Sequence, residues 1–111
     1  MKYIIFALFL NIVITSNIYA GEAVNTKVTN AGINSKGEVF VTFADALVQD
    51  GCDARKQLVL PPDSTIKDHV LSVALSANAS GSEVQIKPAG CYGTSPSLLP
   101  NYSPHGWIFS R

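Results

Sequence analysis

Hydrophobic residues follow three rhythms along this chain. Residues 3–14 are almost wholly apolar, Tyr3 to Leu10 and Ile12 to Ile14 on either side of Asn11. From Val24 the apolar positions are spaced out instead. Val24 and Val28, with Ile33 at the end and threonines between, predict a first strand that becomes irregular near Ala31-Gly32. "NSKGE" follows as a turn, with Gly37 suited to a positive φ. "EVFVTFA" then alternates, Val39, Val41 and Phe43 on one face and Phe40 and Thr42 on the other, and completes a hairpin with the first strand. A polar stretch, "DALVQDGCDARK", reads as a loop. "QLVL" is a short third strand, stopped by Pro61-Pro62, which lack the N–H a ladder needs.

The third rhythm is helical. In "DSTIKDHVLSVALSANASG" Ile66, Val70, Val73 or Ala74, and Ala77 recur at helical spacing, and Leu71 and Leu75 widen the stripe. Asp63 or Ser64 is the expected cap and Gly81 the expected stop. "SEVQIKP" alternates again, with Val84 and Ile86 facing one way, and predicts a fourth strand. Residues 92–106 are rich in Pro, Ser and Gly and read as a long loop. "WIFS" closes the chain as a fifth strand. The order strand, strand, strand, helix, strand, strand predicts an α+β, mainly β domain with the connectivity of the OB-fold, a small five-stranded, partly open barrel with its helix between strands three and four.

The first twenty residues change how the composition is read. One positive charge, Lys2, precedes the apolar run, a polar stretch Thr15-Ser16-Asn17 follows it, and Ala20 offers a small residue at a cleavage position. That layout predicts a secretory signal over residues 1–20 and a single domain over 21–111; an uncleaved anchor is the alternative. With Lys2 removed the domain carries one basic residue fewer than its acidic residues. No basic stripe runs along it, which argues against a nucleic-acid partner. The expected location is periplasmic or extracellular, with no stable membrane anchor.

The two cysteines are expected to form a disulfide, Cys52 to Cys91. An exported chain with two cysteines most simply pairs them. Redox pairs usually sit two residues apart, and a zinc site would need ligands beyond His69 and His105. No metal or other cofactor is expected.

A strand with "GEVFVTF", a cysteine-bearing loop, and a helix ending "SVALSANASGSEVQIK" before "GC" resembles a group of small exported bacterial proteins of unknown role. More distantly, it is similar to the B subunits of pertussis-like toxins, which carry a helix ending A-x-x-[ST]-G before an alternating strand. The resemblance covers Val39 to Cys91. It implies an OB-fold, assembly into rings and binding of glycans.

Catalytic chemistry has little support. Ser, His and Asp occur, but not in a G-x-S-x-G or comparable nucleophile context, and Asp45, Asp50 and Asp53 lack the spacing of a calcium loop. His69 reads as a solvated helix residue. The aromatic residues near the C-terminus carry more information. Tyr92, Tyr102 and Trp107, with His105 beside Trp107, are the candidate binding residues, because aromatic faces on loops cover the C–H edges of sugars or grip peptide side chains. For Trp107 and Phe109 the favoured reading is instead that both plug the core of the last strand. The expected role is therefore a non-enzymatic exported module that binds a glycan or a protein through this aromatic segment. The alternative is a periplasmic inhibitor or interaction protein without glycan binding. Strand edges of an open barrel also leave room for oligomerisation.

Overall fold

The computed structural model describes residues 20–53, 56–102 and 105–111; the predicted export signal, apart from its last residue Ala20, lies outside them. The elements are β1 (Val24–Ile33), β2 (Val39–Phe43), β3 (Gln57–Leu60), α1 (Lys67–Ser80), β4 (Glu83–Lys87), β5 (Cys91–Tyr92), β6 (Ser95–Pro96) and β7 (Trp107–Ser110). Five of them form one antiparallel sheet in the order β3-β2-β1-β4-β7, while β5 and β6 make a separate ribbon. Among the described residues no ladder joins β3 to β7. The sheet stays open, without the closure a barrel requires.

One face of the sheet carries the core, and the strand alternation puts it there. Val39, Val41 and Phe43 of β2, Leu58 and Leu60 of β3, and Val84 and Ile86 of β4 belong to one buried cluster that α1 shares. The helix contributes Val70, Ala74 and Ala77. Two of these are alanines, whose small side chains let the helix axis come close to β1. The stripe is narrower than its sequence pattern: Leu71 packs against the core, but Leu75 is 47 % and Ile66 42 % exposed. Leu75 lies one residue, about 100° of helix rotation, past Ala74 and so turns toward solvent.

The helix also starts later than expected. Residues 61–66 are taken up by turns, with Ser64 N–H donating to Pro61 O at 3.0 Å. Ser64 Oγ accepts from Ile66 N–H at 3.3 Å and so serves the turn, not the cap. Ile66 occupies the N-cap without a side-chain hydrogen bond. The C-terminus ends as read, on Gly81 at φ 72°. In β1 the irregularity falls between Val28 and Asn30, not at Ala31-Gly32.

The largest departures concern the C-terminal third. The last strand does not plug the core with its aromatic residues. Ile108 pairs with the buried Ile86 and faces inward, so the two-residue repeat sends Trp107 and Phe109 outward, 40 % and 46 % exposed. The Pro- and Ser-rich stretch is not a free loop either. Pro96, Ser97 and Leu98 are buried, Ala89 N–H donates to Ser97 O at 2.7 Å, and Ser97 N–H donates to Gly90 O at 2.9 Å.

The disulfide forms as expected, Cys52 to Cys91, with Cα atoms 5.7 Å apart. Around it, Gln49 Oε1 accepts from Gly90 N–H at 2.9 Å, and Asp53 N–H donates to Thr94 O at 2.6 Å. Gly90 stands at φ 84°, and a Cβ there would lie 2.5 Å from Tyr102 Cζ.

Two stability outcomes follow from these contacts. The double variant Cys52→Ser with Cys91→Ser should unfold at a lower urea midpoint, with a loss approaching the chain-entropy value of about 4 kcal/mol for a loop this long. Its far-ultraviolet circular dichroism should keep the native strand signal. Gly90→Ala should cost at least the left-handed backbone penalty, about 1–2 kcal/mol, in the same titration, and more if the Tyr102 ring cannot move aside.

Candidate functional site

The outer face of the sheet, opposite the helix, is where the non-core positions of each strand meet. On β2 and β3 those positions are Phe40, Thr42, Gln57 and Val59, with Phe40 paired to Val59 and Thr42 to Gln57. The disulfide brings the β5–β6 ribbon alongside, and the β1–β2 turn rises at the other end. Together they enclose a groove of about 610 Å³ lined by Asn34, Glu38, Phe40, Gln57, Val59 and residues 92–95.

Its polar groups are held in place by one another. Tyr92 Oη donates to Glu38 Oε2 at 2.7 Å, and Asn34 Nδ2 donates to Glu38 Oε1 at 2.9 Å. Asn34 Oδ1 accepts in turn from the backbone N–H groups of Lys36 and Glu38, at 2.9 and 3.1 Å. An Asx-type turn therefore presents the carboxylate. The bond from Asn34 first, and that from Tyr92 second, hold the Glu38 carboxyl below its ordinary pKa, so it is a carboxylate at neutral pH. The same contact raises the Tyr92 phenol and keeps it protonated. The floor is apolar, Phe40 and Val59. No Lys or Arg is among the described residues that line it, although the nearby Lys36 also helps to lower the Glu38 carboxyl.

A second groove, of about 550 Å³, lies between the end of β3 and the approach to β7, lined by Pro61, 63–66, 98–100, His105 and Gly106. Its walls are mainly apolar. Asp63, Ser64 and His105 all reach it, but among the described residues no hydrogen bond joins them into a nucleophile–base relay. Nor do three His, Cys, Asp or Glu side chains of the described residues converge as a metal site needs.

The four candidate residues are thus dispersed. Tyr92 is in the outer-face groove. His105 is exposed at the rim of the second one. Tyr102 lies against Gly90 as a packing element beside the disulfide. Trp107 stands on the edge strand, its indole N–H donating to Gln85 Oε1 at 2.9 Å and its ring 5.0 Å from Lys87 Nζ. Sequence reasoning missed Glu38, Phe40, Gln57 and Val59. The signal for two of them was present: Phe40 and Val59 are apolar on the phase of their strands that does not face the core.

Compared with protein-family models, with curated proteins and with solved structures, the chain matches none, and no comparison relates it to pertussis-like toxin B subunits. What the groove can do is therefore argued from its own chemistry. No helix among the described residues is long and apolar enough to cross a membrane.

The electrostatic linkage has a definite sign. Because the folded-state pKa of Glu38 is lowered, its contribution to stability is present above the unfolded pKa and is lost as pH falls through the folded value. Tyr92→Phe removes one of the two bonds behind that shift. Carboxyl titration of Glu38 followed by NMR should move up toward the ordinary range in Tyr92→Phe, and further in Asn34→Ala.

Proposed function

We propose that this protein is a non-enzymatic, exported binding module of OB-like architecture that takes a saccharide in the outer-face groove of β2 and β3. The observation that carries the reading is the pairing of an outward aromatic floor with a fixed carboxylate: Phe40 beside Val59, and Glu38 held by Tyr92 and Asn34. A sugar ring presents an apolar C–H face and a rim of hydroxyls. Phe40 and the Tyr92 ring suit the first, while Glu38, Gln57 and the loop hydroxyls of Thr94 and Ser95 suit the second.

The location supports the same reading. The face of strands two and three, flanked by the first hairpin turn and by the connection between the last two strands, is where OB-folds bind oligosaccharides and oligonucleotides. Here that position is formed by β2 and β3, the turn 34–38 and the ribbon 91–96. Among the described residues of the lining the Glu38 carboxylate is the one charged group, which favours a neutral saccharide over phosphates and acidic sugars. The disulfide and the charged-then-apolar N-terminal twenty residues support an oxidising, exported destination. The aromatic-segment site narrows accordingly: Tyr92 stays, and Tyr102, His105 and Trp107 fall outside this groove.

Glycan-array screening of the protein, followed by calorimetry on any hit, tests the proposal. Phe40→Ala and Tyr92→Ala should each abolish saccharide binding, whereas His105→Ala and Trp107→Ala should leave single-site affinity unchanged. Binding of a neutral glycan that survives both Phe40→Ala and Tyr92→Ala would place the site elsewhere.

A further inference from the structure

The sheet ends on β7, and the open side of that strand has a definite pattern. Arg111 N–H donates to Glu83 O at 2.8 Å. In an antiparallel ladder hydrogen-bonded and non-bonded pairs alternate. With Phe109 opposite Gln85 and Trp107 opposite Lys87, those residues bond to β4 as Arg111 does. The N–H and C=O groups of Ile108 and Ser110 therefore point away from the sheet, along an edge where, among the described residues, no further strand is paired. Beside this edge, on the outer face, stand Trp107 and Phe109, 40 % and 46 % exposed. An unpaired edge flanked by two exposed aromatic side chains is what natural sheets ordinarily avoid.

We propose that β7 is a dimerisation edge, and that its occupant is the β7 of a second copy of this chain, paired antiparallel about a two-fold axis centred on Phe109. The strand's own parity selects this register. Only outward-pointing residues can exchange bonds across the new seam, so Ile108 and Ser110 must pair among themselves. Centring on Ile108 or on Ser110 leaves the other residue of the strand without a partner in β7. Centring on Phe109 pairs Ile108 with the second copy's Ser110, and the reverse, so every open group of the strand is used. An isologous contact of this kind closes on itself.

The side chains suit that register. Phe109 then faces the second copy's Phe109 as a non-hydrogen-bonded pair, the closer of the two pair types. Trp107 stands opposite the second copy's Arg111, although within each copy Lys87 Nζ already lies 5.0 Å from the Trp107 ring and Arg111 Nη1 donates to Asn25 Oδ1. A foreign strand could use the backbone groups, but this chain's own β7 also sets the exposed Phe109 opposite the second copy's exposed Phe109 and covers both rings.

The seam uses none of the residues that line the groove. The dimer itself does not depend on the saccharide reading.

Sedimentation velocity over a concentration series, using the protein produced from the full-length sequence, tests the proposal. A concentration-dependent dimer is expected. Phe109→Lys, which opposes two cations across the axis, should lose it. Ser110→Pro should also lose it, since it removes a donor on the open edge and none from the ladder to β4. Retention of the Cys52–Cys91 bond and of circular dichroism shows that these variants fold. Both native cysteines are engaged in that bond, so Phe109→Cys adds one free thiol, which should oxidise to a covalent dimer. Trp107→Cys should not, because it faces Arg111. A monomer at every concentration overturns the proposal, including one that instead takes up an added extended peptide. So does a dimer that survives both Phe109→Lys and Ser110→Pro, or one that cross-links through W107C and not F109C.

Discussion

The Cys52–Cys91 bond is the constraint on which the arrangement of the outer face depends. It joins the connection between β2 and β3 to the segment leaving β4, stretches 39 residues apart in sequence. Neither segment has the alternation that would dock it on the sheet unaided. The bond brings them together, and Gln49 Oε1 to Gly90 N–H and Asp53 N–H to Thr94 O then fix their relative register. The β5–β6 ribbon is held beside β3 as a result, and Tyr92 with it. In so small a domain the core is modest, and a covalent tie supplies order that apolar burial alone would not.

The sheet serves two purposes through its two faces. The helix face is apolar except for the buried Thr26, whose hydroxyl donates to Asp45 Oδ2 at 2.8 Å, and it contributes stability. The other face is divided lengthwise. Toward β3 it is a groove with an aromatic floor and a carboxylate; toward β7 it is a row in which Asn25 Oδ1 accepts from Gln85 Nε2 and Arg111 Nη1, and Gln85 Oε1 accepts from Trp107. The period of two makes such a division possible, since residues freed from the core are free to carry chemistry. A cost accompanies it, because aromatic residues that leave the core add apolar surface to the outside.

Much of the fold was legible because the rules involved are local. The bounds of β1 and β7, the presence of β2 and β3, the burial of Val39, Val41, Phe43, Val84 and Ile86, and the αL stop at Gly81 all follow from alternation and backbone preference within a few residues. The failures are equally physical. That large rings fill small cores argues for Trp107 and Phe109 facing inward, yet one residue, Ile108, sets the phase of all four positions by pairing with Ile86. Ser64 looked like a cap because its type and place were right, but the turn after the prolines uses its hydroxyl first. The stretch after Cys91 looked loose because Pro and Ser carry no periodic signal, although its backbone bonds to Ala89 and Gly90 tie it down.

By itself, then, the sequence determined the five strands of the main sheet, the helix, the core faces of β2 and β4 and the single disulfide, since each rests on short-range pattern or on cysteine count. Only the tertiary structure decided that the sheet remains open and that Tyr92 meets Glu38, 54 residues away, over Phe40. It also decided that Tyr102 and Trp107 part company with Tyr92. Those outcomes depend on how the segment after β4 packs against β3, a long-range arrangement set by the covalent bridge and a few backbone hydrogen bonds, which no periodicity along the chain encodes.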